Sequence, residues 1–394
     1  MALVLIILII AFVLAIPFIV CGMINEKTCR RYAGWNCPYQ PRYDYYQEDY
    51  PRVPVSFIGA QGARLRGFLY PAYGKMENAP AGFGTAEEVS QRIRTSADGE
   101  QKKLLVFCHG IWSVPEEYMM LIAWFADHGY SVFTYCATGA GYSDGTSLKG
   151  LPNSPLDLHA ALTYIEGDDR FACYDIFLAG HSWGGYAVGA VLNFSHPRVK
   201  AVCCLSGFNS VMEVTGDTLE ANAGRFGKIF LPASWIIYHL LFGKKAGLSA
   251  AAGIKRSGIP AIVVHGENDA FIHLGVSSIA KHETQFAGGK NEVLLLTEKG
   301  RSEHGTYFVS REAAASYVEL EKAFQPVREK YKGKPEKPAG PTDPDDMTIN
   351  NAGIPAEELA SFVAGIDGDL LAQPNAKLYE KIDRFFKKAA AYEQ

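Results

Sequence analysis

Net charge is scarce in this sequence: 38 Lys and Arg stand against 42 Asp and Glu, leaving −4 over 394 residues. That balance excludes a broad basic surface for nucleic acid and an equally broad acidic one. No glycine-rich loop leads into a Lys-Ser/Thr signature, so no nucleotide is implied. Cysteine and histidine do not cluster at metal-ligand spacing. Cys203 and Cys204 are adjacent in an apolar run and point to opposite faces of a strand, while Cys29 and Cys37 have no histidine beside them. The sequence therefore implies no cofactor and no metal. Internal repeats are absent as well.

Charge is missing altogether from Met1 to Ile24, a stretch of Leu, Ile, Val, Ala and Phe. Roughly 20 such residues span a bilayer core as a helix. A basic leading region and an A-x-A site are both lacking, and the apolar run is longer than that of a cleaved signal peptide. Residues 1–24 are thus expected to be an uncleaved membrane anchor. The competing reading is a signal peptide, whose removal would leave the rest secreted. Lys27, Arg30 and Arg31 follow at once, which by the positive-inside rule keeps the following domain on the cytoplasmic side. Cys29 and Cys37 flank a short polar loop and would pair only on an oxidising side.

Residues 25–52 are polar and rich in Tyr, Arg and Pro, as suits a juxtamembrane linker. From residue 53 onward the composition is that of a globular domain. A hairpin is expected over Val53–Ile58 and Leu65–Tyr70, followed by a surface insertion at 72–102. Short apolar runs then alternate with helical patterns. The strands are Leu104–Cys108, Val132–Cys136, Asp175–Ala179, Ala201–Leu205, Ala261–Val264 and Val293–Leu296. The helices are Pro115–His128, Leu156–Glu166, Gly184–Phe194 and Ser277–Phe286. This order predicts an α/β fold with a mostly parallel sheet covered on both faces. Residues 207–258 interrupt the alternation as a cap, 333–350 read as a loop, and Ala376–Ala391 forms a final covering helix. Nothing speaks to oligomeric state.

The chemistry-bearing signal is Gly180-His181-Ser182-Trp183-Gly184-Gly185, placed between a strand and a helix. A nucleophile elbow needs small residues around its serine because the turn is sharp, and the helix N-terminus adds positive potential where an oxyanion forms. Serine as nucleophile needs a base, and the base an orienting carboxylate. Asp269, just past the strand Ala261–Val264, is the candidate acid, with Glu267 in the same loop as its rival. His304 follows the last strand and is the candidate base; His273, near the acid loop, competes. His109, His181 and His265 are expected to shape turns. The N–H groups of Ile111, after the His109-Gly110 turn, and of Trp183 are the candidate oxyanion donors.

Taken in order, His109-Gly110, the glycine-rich Thr138–Gly145, the elbow at Ser182, His265–Asp269 and His304 resemble the α/β-hydrolase superfamily. The likeness is to its monoglyceride-lipase-like and serine-aminopeptidase-like (S33-type) members and covers roughly residues 53–330. It implies a Ser182–His304–Asp269 serine hydrolase that works through an acyl enzyme. Thr138-Gly139 departs from the Arg-Gly pair common in that loop. The apolar stretch Ile229–Phe242 suits either a cap that binds an acyl chain or one that buries its own core. A small ester or lipid-like substrate is expected. The alternatives are a peptidase or amidase, for which Glu213, Asp217 and Glu220 would hold an ammonium group, and a membrane-tethered binding protein.

Overall fold

The computed structural model describes residues 2–32, 39–41, 43–72, 102–331 and 354–392. The expected insertion at 72–102 and loop at 333–350 lie almost entirely outside these residues, as does Cys37. Eight strands form one sheet: β1 (Val53–Ile58), β2 (Arg64–Tyr70), β3 (Lys102–Cys108), β4 (Tyr130–Tyr135), β5 (Tyr174–His181), β6 (Val199–Leu205), β7 (Ala261–Gly266) and β8 (Glu292–Leu296). Their spatial order is β1-β2-β4-β3-β5-β6-β7-β8. The pairs β1–β2 and β2–β4 are antiparallel, and every other pair is parallel. The result is an α/β fold with a mostly parallel central sheet.

Burial explains the sequence patterns. β1 alternates buried and exposed residues, as an antiparallel edge does, and tolerates Pro54 for the same reason. β3, β4, β5 and β7 are buried along nearly their whole length. They lie at the centre of the sheet or next to it, covered on both faces.

The helices that bear on the site and its surroundings are α1 (Ala2–Thr28), α2 (Met119–Asp127), α3 (Asn153–Glu166), α4 (Trp183–Ala190), α5 (Val211–Ala223), α6 (Leu231–Phe242), α7 (Ala250–Ser257), α8 (Arg311–Lys330) and α9 (Ala376–Ala391). α9 starts at Asn375, whose side chain caps the Leu378 N–H, and buries Leu378, Ile382, Phe385 and Phe386. Phe386 lies 5.0 Å from Phe177 of β5, centroid to centroid. The last helix is thus packed on the sheet. The expected helix Ser277–Phe286 is shorter in the structure. Only 280–286 is helical, as one 3-10 turn followed by one α turn.

The boundary expected for the cap also shifts. Residues 250–257 form α7, whose Gly253 sits so close to α4 that a Cβ there would lie 2.4 Å from the Gly189 carbonyl oxygen. That helix belongs to the sheet cover, and the insertion proper ends near Gly247. By length and composition 211–247 is, among the described residues, the one helical run apolar enough to cross a membrane. It is not straight, however. Gly224 and Gly243 adopt φ of 58° and 57°, and α5 folds back to touch α6. The run is a folded cap.

α1 is one continuous helix through Pro17. Its C-terminal end is tied to the domain. Cys21 is buried where it meets α6, with its thiol 3.4 Å from the Phe230 carbonyl and 3.3 Å from the Ser234 hydroxyl. Just beyond the helix, Arg31 donates to the carbonyl oxygens of Gly141, Ser143 and Gly145. Tyr32 pairs with the same glycine-rich loop through Gly139 and Gly141.

Candidate active site

β5 delivers the chain into the elbow. Ser182 has φ 56° and ψ −111°, a left-handed conformation that non-glycine residues rarely adopt, and it caps α4. Its backbone N–H is fixed by the Leu205 carbonyl at 2.8 Å. The flanking glycines are forced by contact. A Cβ on Gly180 would lie 2.3 Å from the Gly184 carbonyl oxygen, and one on Gly184 would lie 2.1 Å from that of Cys108. Strand β5, helix α4 and the end of β3 meet closely here because those side chains are missing.

The same closeness sets the oxyanion side. A Cβ on Gly110 would be 3.6 Å from the Ser182 Cβ, so the turn after β3 lies against the serine. Neither the Ile111 N–H nor the Trp183 N–H has an acceptor among the described residues. The Trp183 indole donates to the Leu151 carbonyl at 2.8 Å, which fixes the first turn of α4.

The candidate acid and base arrive from β7 and β8. Asp269 is buried; its Oδ1 accepts from the Phe271 and Ile272 N–H groups at 3.0 and 2.9 Å, and its Oδ2 lies 2.7 Å from His304 Nδ1. Burial alone would raise this carboxyl. The His304 hydrogen bond, its charge and the Ile272 N–H together hold it below the ordinary range. It is therefore a carboxylate. Its rival Glu267 is exposed. His273 is turned away to Asp217, 2.6 Å from its Oδ1. The loop carrying His304 is pressed onto β7, since a Cβ on Gly266 would lie 2.1 Å from the Ser302 carbonyl oxygen.

Three of the sequence candidates thus share one end of the sheet with the two N–H groups. One link is open: the Ser182 hydroxyl makes no hydrogen bond among the described residues. Its neighbour His181 lies 4.7 Å from the His304 ring, centroid to centroid. Catalytic hydrogen bonds are often long without substrate and tighten when it binds.

Sequence reasoning left the supporting residues unseen. Gly110 N–H donates to the Tyr118 hydroxyl at 3.2 Å, which in turn lies 2.9 Å from His181 Nδ1. His181 Nε2 donates to the His304 carbonyl at 2.7 Å. One neutral imidazole therefore joins the oxyanion turn to the base loop. His109 does similar work, accepting the Ala137 N–H at Nε2 and donating from Nδ1 to the Gly110 carbonyl. Thr138, the departure from the usual Arg, gives both its N–H and its hydroxyl to buried Asp157, whose carboxyl burial raises to about 6. No local pattern marks Tyr118 or Asp157 in these roles, because Gly110, His181 and Thr138 lie on other elements. Among the described residues no three His, Cys, Asp or Glu are grouped to hold a metal ion.

The two imidazoles of His109 and His181 make stability depend on pH. Burial lowers His109 to about 4; burial, then repulsion from His304, lowers His181 to about 3. The unfolded chain binds protons below about 6.5 while the folded rings do not, so stability is present above that pH and is lost as pH falls toward 4. Each ring contributes on the order of 3 kcal/mol across that window. Thermal melts are expected to show Tm falling from pH 7 to 4, with both rings neutral by NMR in the folded state. Rings that charge near 6.5 without loss of fold would refute the assignment.

Residues 99–236 match the family described as serine aminopeptidase, S33. That stretch is 138 of the 394 residues and contains the elbow at Ser182, so this part of the chain is similar to that serine hydrolase family. Among solved structures the chain is similar to the Pyrococcus furiosus esterase Pf2001 (12% identity, TM-score 0.47, covering 76% of this chain and 97% of that one). It is also similar to an acylaminoacyl peptidase of Pyrococcus horikoshii (16% identity, TM-score 0.45, covering 73% and 43%). A third similar structure is Est1E of Butyrivibrio proteoclasticus with bound ferulic acid (15% identity, TM-score 0.44, covering 69% and 98%). No curated protein sequence matches the chain.

Proposed function

We propose that the hydrolase cleaves carboxylic esters with an apolar acyl group, through an acyl enzyme on Ser182. The observation that carries this reading is the 2.7 Å contact between His304 Nδ1 and buried Asp269, beside a serine held at φ 56°. His304 takes the hydroxyl proton at Nε2 as Ser182 Oγ attacks the acyl carbonyl. Asp269 holds the Nδ1–H tautomer and stabilises the imidazolium. The N–H groups of Ile111 and Trp183 meet the oxyanion. His304 then protonates the departing alkoxide, and water, deprotonated by the same ring, releases the acid and restores Ser182.

An aminopeptidase needs a carboxylate open to the substrate's ammonium group. In the cap, Glu213 meets Asn209 and His282, Asp217 meets His273 and Ser277, and Glu220 meets Lys228. Each already has partners, which favours the ester over the peptide. Residues 1–24 serve in this reading as a membrane anchor: Phe12, Leu14, Phe18, Ile19 and Met23 are exposed apolar side chains on α1. By the positive-inside rule, Lys27, Arg30 and Arg31 favour the cytoplasmic side in this reading.

The test is turnover of p-nitrophenyl esters of graded chain length by the full chain in detergent micelles, beside matched peptide amides. Ester turnover that rises with acyl length is expected. Faster amide turnover would replace this reading with the peptidase, and inertness toward every ester would end it. Carbonate extraction checks the anchor separately, since an integral helix stays with the membrane.

A further inference from the structure

A cavity of about 590 Å³ lies between α1 and the cap. That is within the range of about 300–1,000 Å³ usual for small-molecule sites. One wall is α1 itself, through Cys21, Ile24 and Thr28. The facing wall is Leu219 of α5 with Ser234 and Ile237 of α6. The cavity also touches Trp112 and Leu151. Trp112 directly follows Ile111, and the Leu151 carbonyl receives the Trp183 indole. Ile111 and Trp183 are not among the lining residues, but each adjoins one of them, Ile111 in sequence and Trp183 through its indole bond.

The α1 wall is fixed in place. The last carbonyls of a helix lack partners within it, and that of Thr28 accepts the Trp112 indole N–H at 2.8 Å. Trp112 has φ 55°, a conformation rare for a bulky residue, so this bond holds a strained turn next to Ile111. The cap also exposes Phe226, Ile229, Leu240 and Leu241, and α1 exposes Ile24 and Met23. The cavity wall is mixed, with Asn25, Lys27, Arg30 and Asn222 beside the apolar residues. Its apolar residues, Ile24, Leu151, Leu219 and Ile237, fit a hydrocarbon chain.

We propose that the last two turns of α1 form one wall of the acyl-binding site, so that the apolar N-terminal helix is part of the substrate pocket for a long-chain, lipid-type ester. This rests on the ester reading above. It differs in assigning substrate contact to a segment outside the hydrolase domain.

The experiment narrows the cavity from each side in the full chain in detergent, with Ile24→Trp on α1 and Ile237→Trp on α6. The readout is the ratio of kcat/KM for decanoate to that for acetate p-nitrophenyl esters. Each Trp variant is expected to lower this ratio at least tenfold. Ile24→Ala and Ile237→Ala, which widen the same walls, are expected to move the optimum toward longer chains, and they decide the matter if a Trp variant does not fold. An unchanged ratio in both Ile24 variants, with a shifted ratio in the Ile237 variants, would overturn the role of α1. Unchanged ratios at both positions would remove the cavity from acyl binding while leaving the ester reading intact. Should the parent hydrolyse no ester, labelling of Ser182 by decyl and ethyl fluorophosphonates in the same variants reads the cavity independently. Equal effects on the two probes would then overturn the inference.

Discussion

Replacing Ser182 with Ala is expected to lower kcat for ester hydrolysis by about 10⁴-fold or more and to abolish labelling by a fluorophosphonate probe. The hydroxyl is the only group at the elbow able to form the acyl enzyme. What survives its loss is whatever the oxyanion donors and substrate binding provide for attack by water. Stability should hardly change, because the Ser182 side chain makes no hydrogen bond among the described residues and its backbone N–H still meets Leu205. Tm within a few degrees of the parent, together with lost labelling, identifies the nucleophile. Retained labelling would move the nucleophile elsewhere, and retained turnover without labelling would remove acyl-enzyme chemistry.

Asp269→Asn is expected to cost about 10³- to 10⁴-fold in kcat, with KM changed far less. An Asn carbonyl at the Oδ1 position still accepts from the Phe271 and Ile272 N–H groups, so the loop survives. The other atom becomes an amide nitrogen facing His304 Nδ1. It donates where a carboxylate accepted, favours the wrong tautomer, and leaves no negative charge for the imidazolium. Glu267→Gln is the matching control. That side chain is exposed in the same loop, and activity within about twofold of the parent is expected, as for most surface substitutions. If the two variants exchange phenotypes, the acid has been assigned to the wrong carboxylate.

Much of this site was legible in the sequence because its parts obey local rules. Ser182 lies in a strand–glycine–helix junction whose geometry tolerates few residue types, and Asp269 and His304 each follow an apolar run at a strand end. The sequence names Asp269 ahead of Glu267, and in the fold the backbone turns the first inward and leaves the second exposed. His304 is likewise named ahead of His273 from its place after the last strand. His273 is occupied by Asp217, a residue 56 positions away on the cap. The cap boundary was drawn too late because Ala250–Ser257 follows an apolar insertion without a composition break. Only its close approach to Gly189 shows that it covers the sheet. The chain from Gly110 through Tyr118 to His181 and His304 spans four elements, and no spacing along the sequence encodes it.

The clasp of Arg31 on three loop carbonyls bears on how this protein should be handled at the bench. A shortened chain that begins after residue 24 keeps the arginine but loses Cys21 and the turns that aim it. A cut a few residues later removes a cation that satisfies backbone oxygens near the centre of the molecule. Solubility is better sought by recoding outward-facing positions of the first helix, such as Phe12, Leu14 and Phe18, to polar residues while leaving its final turns untouched.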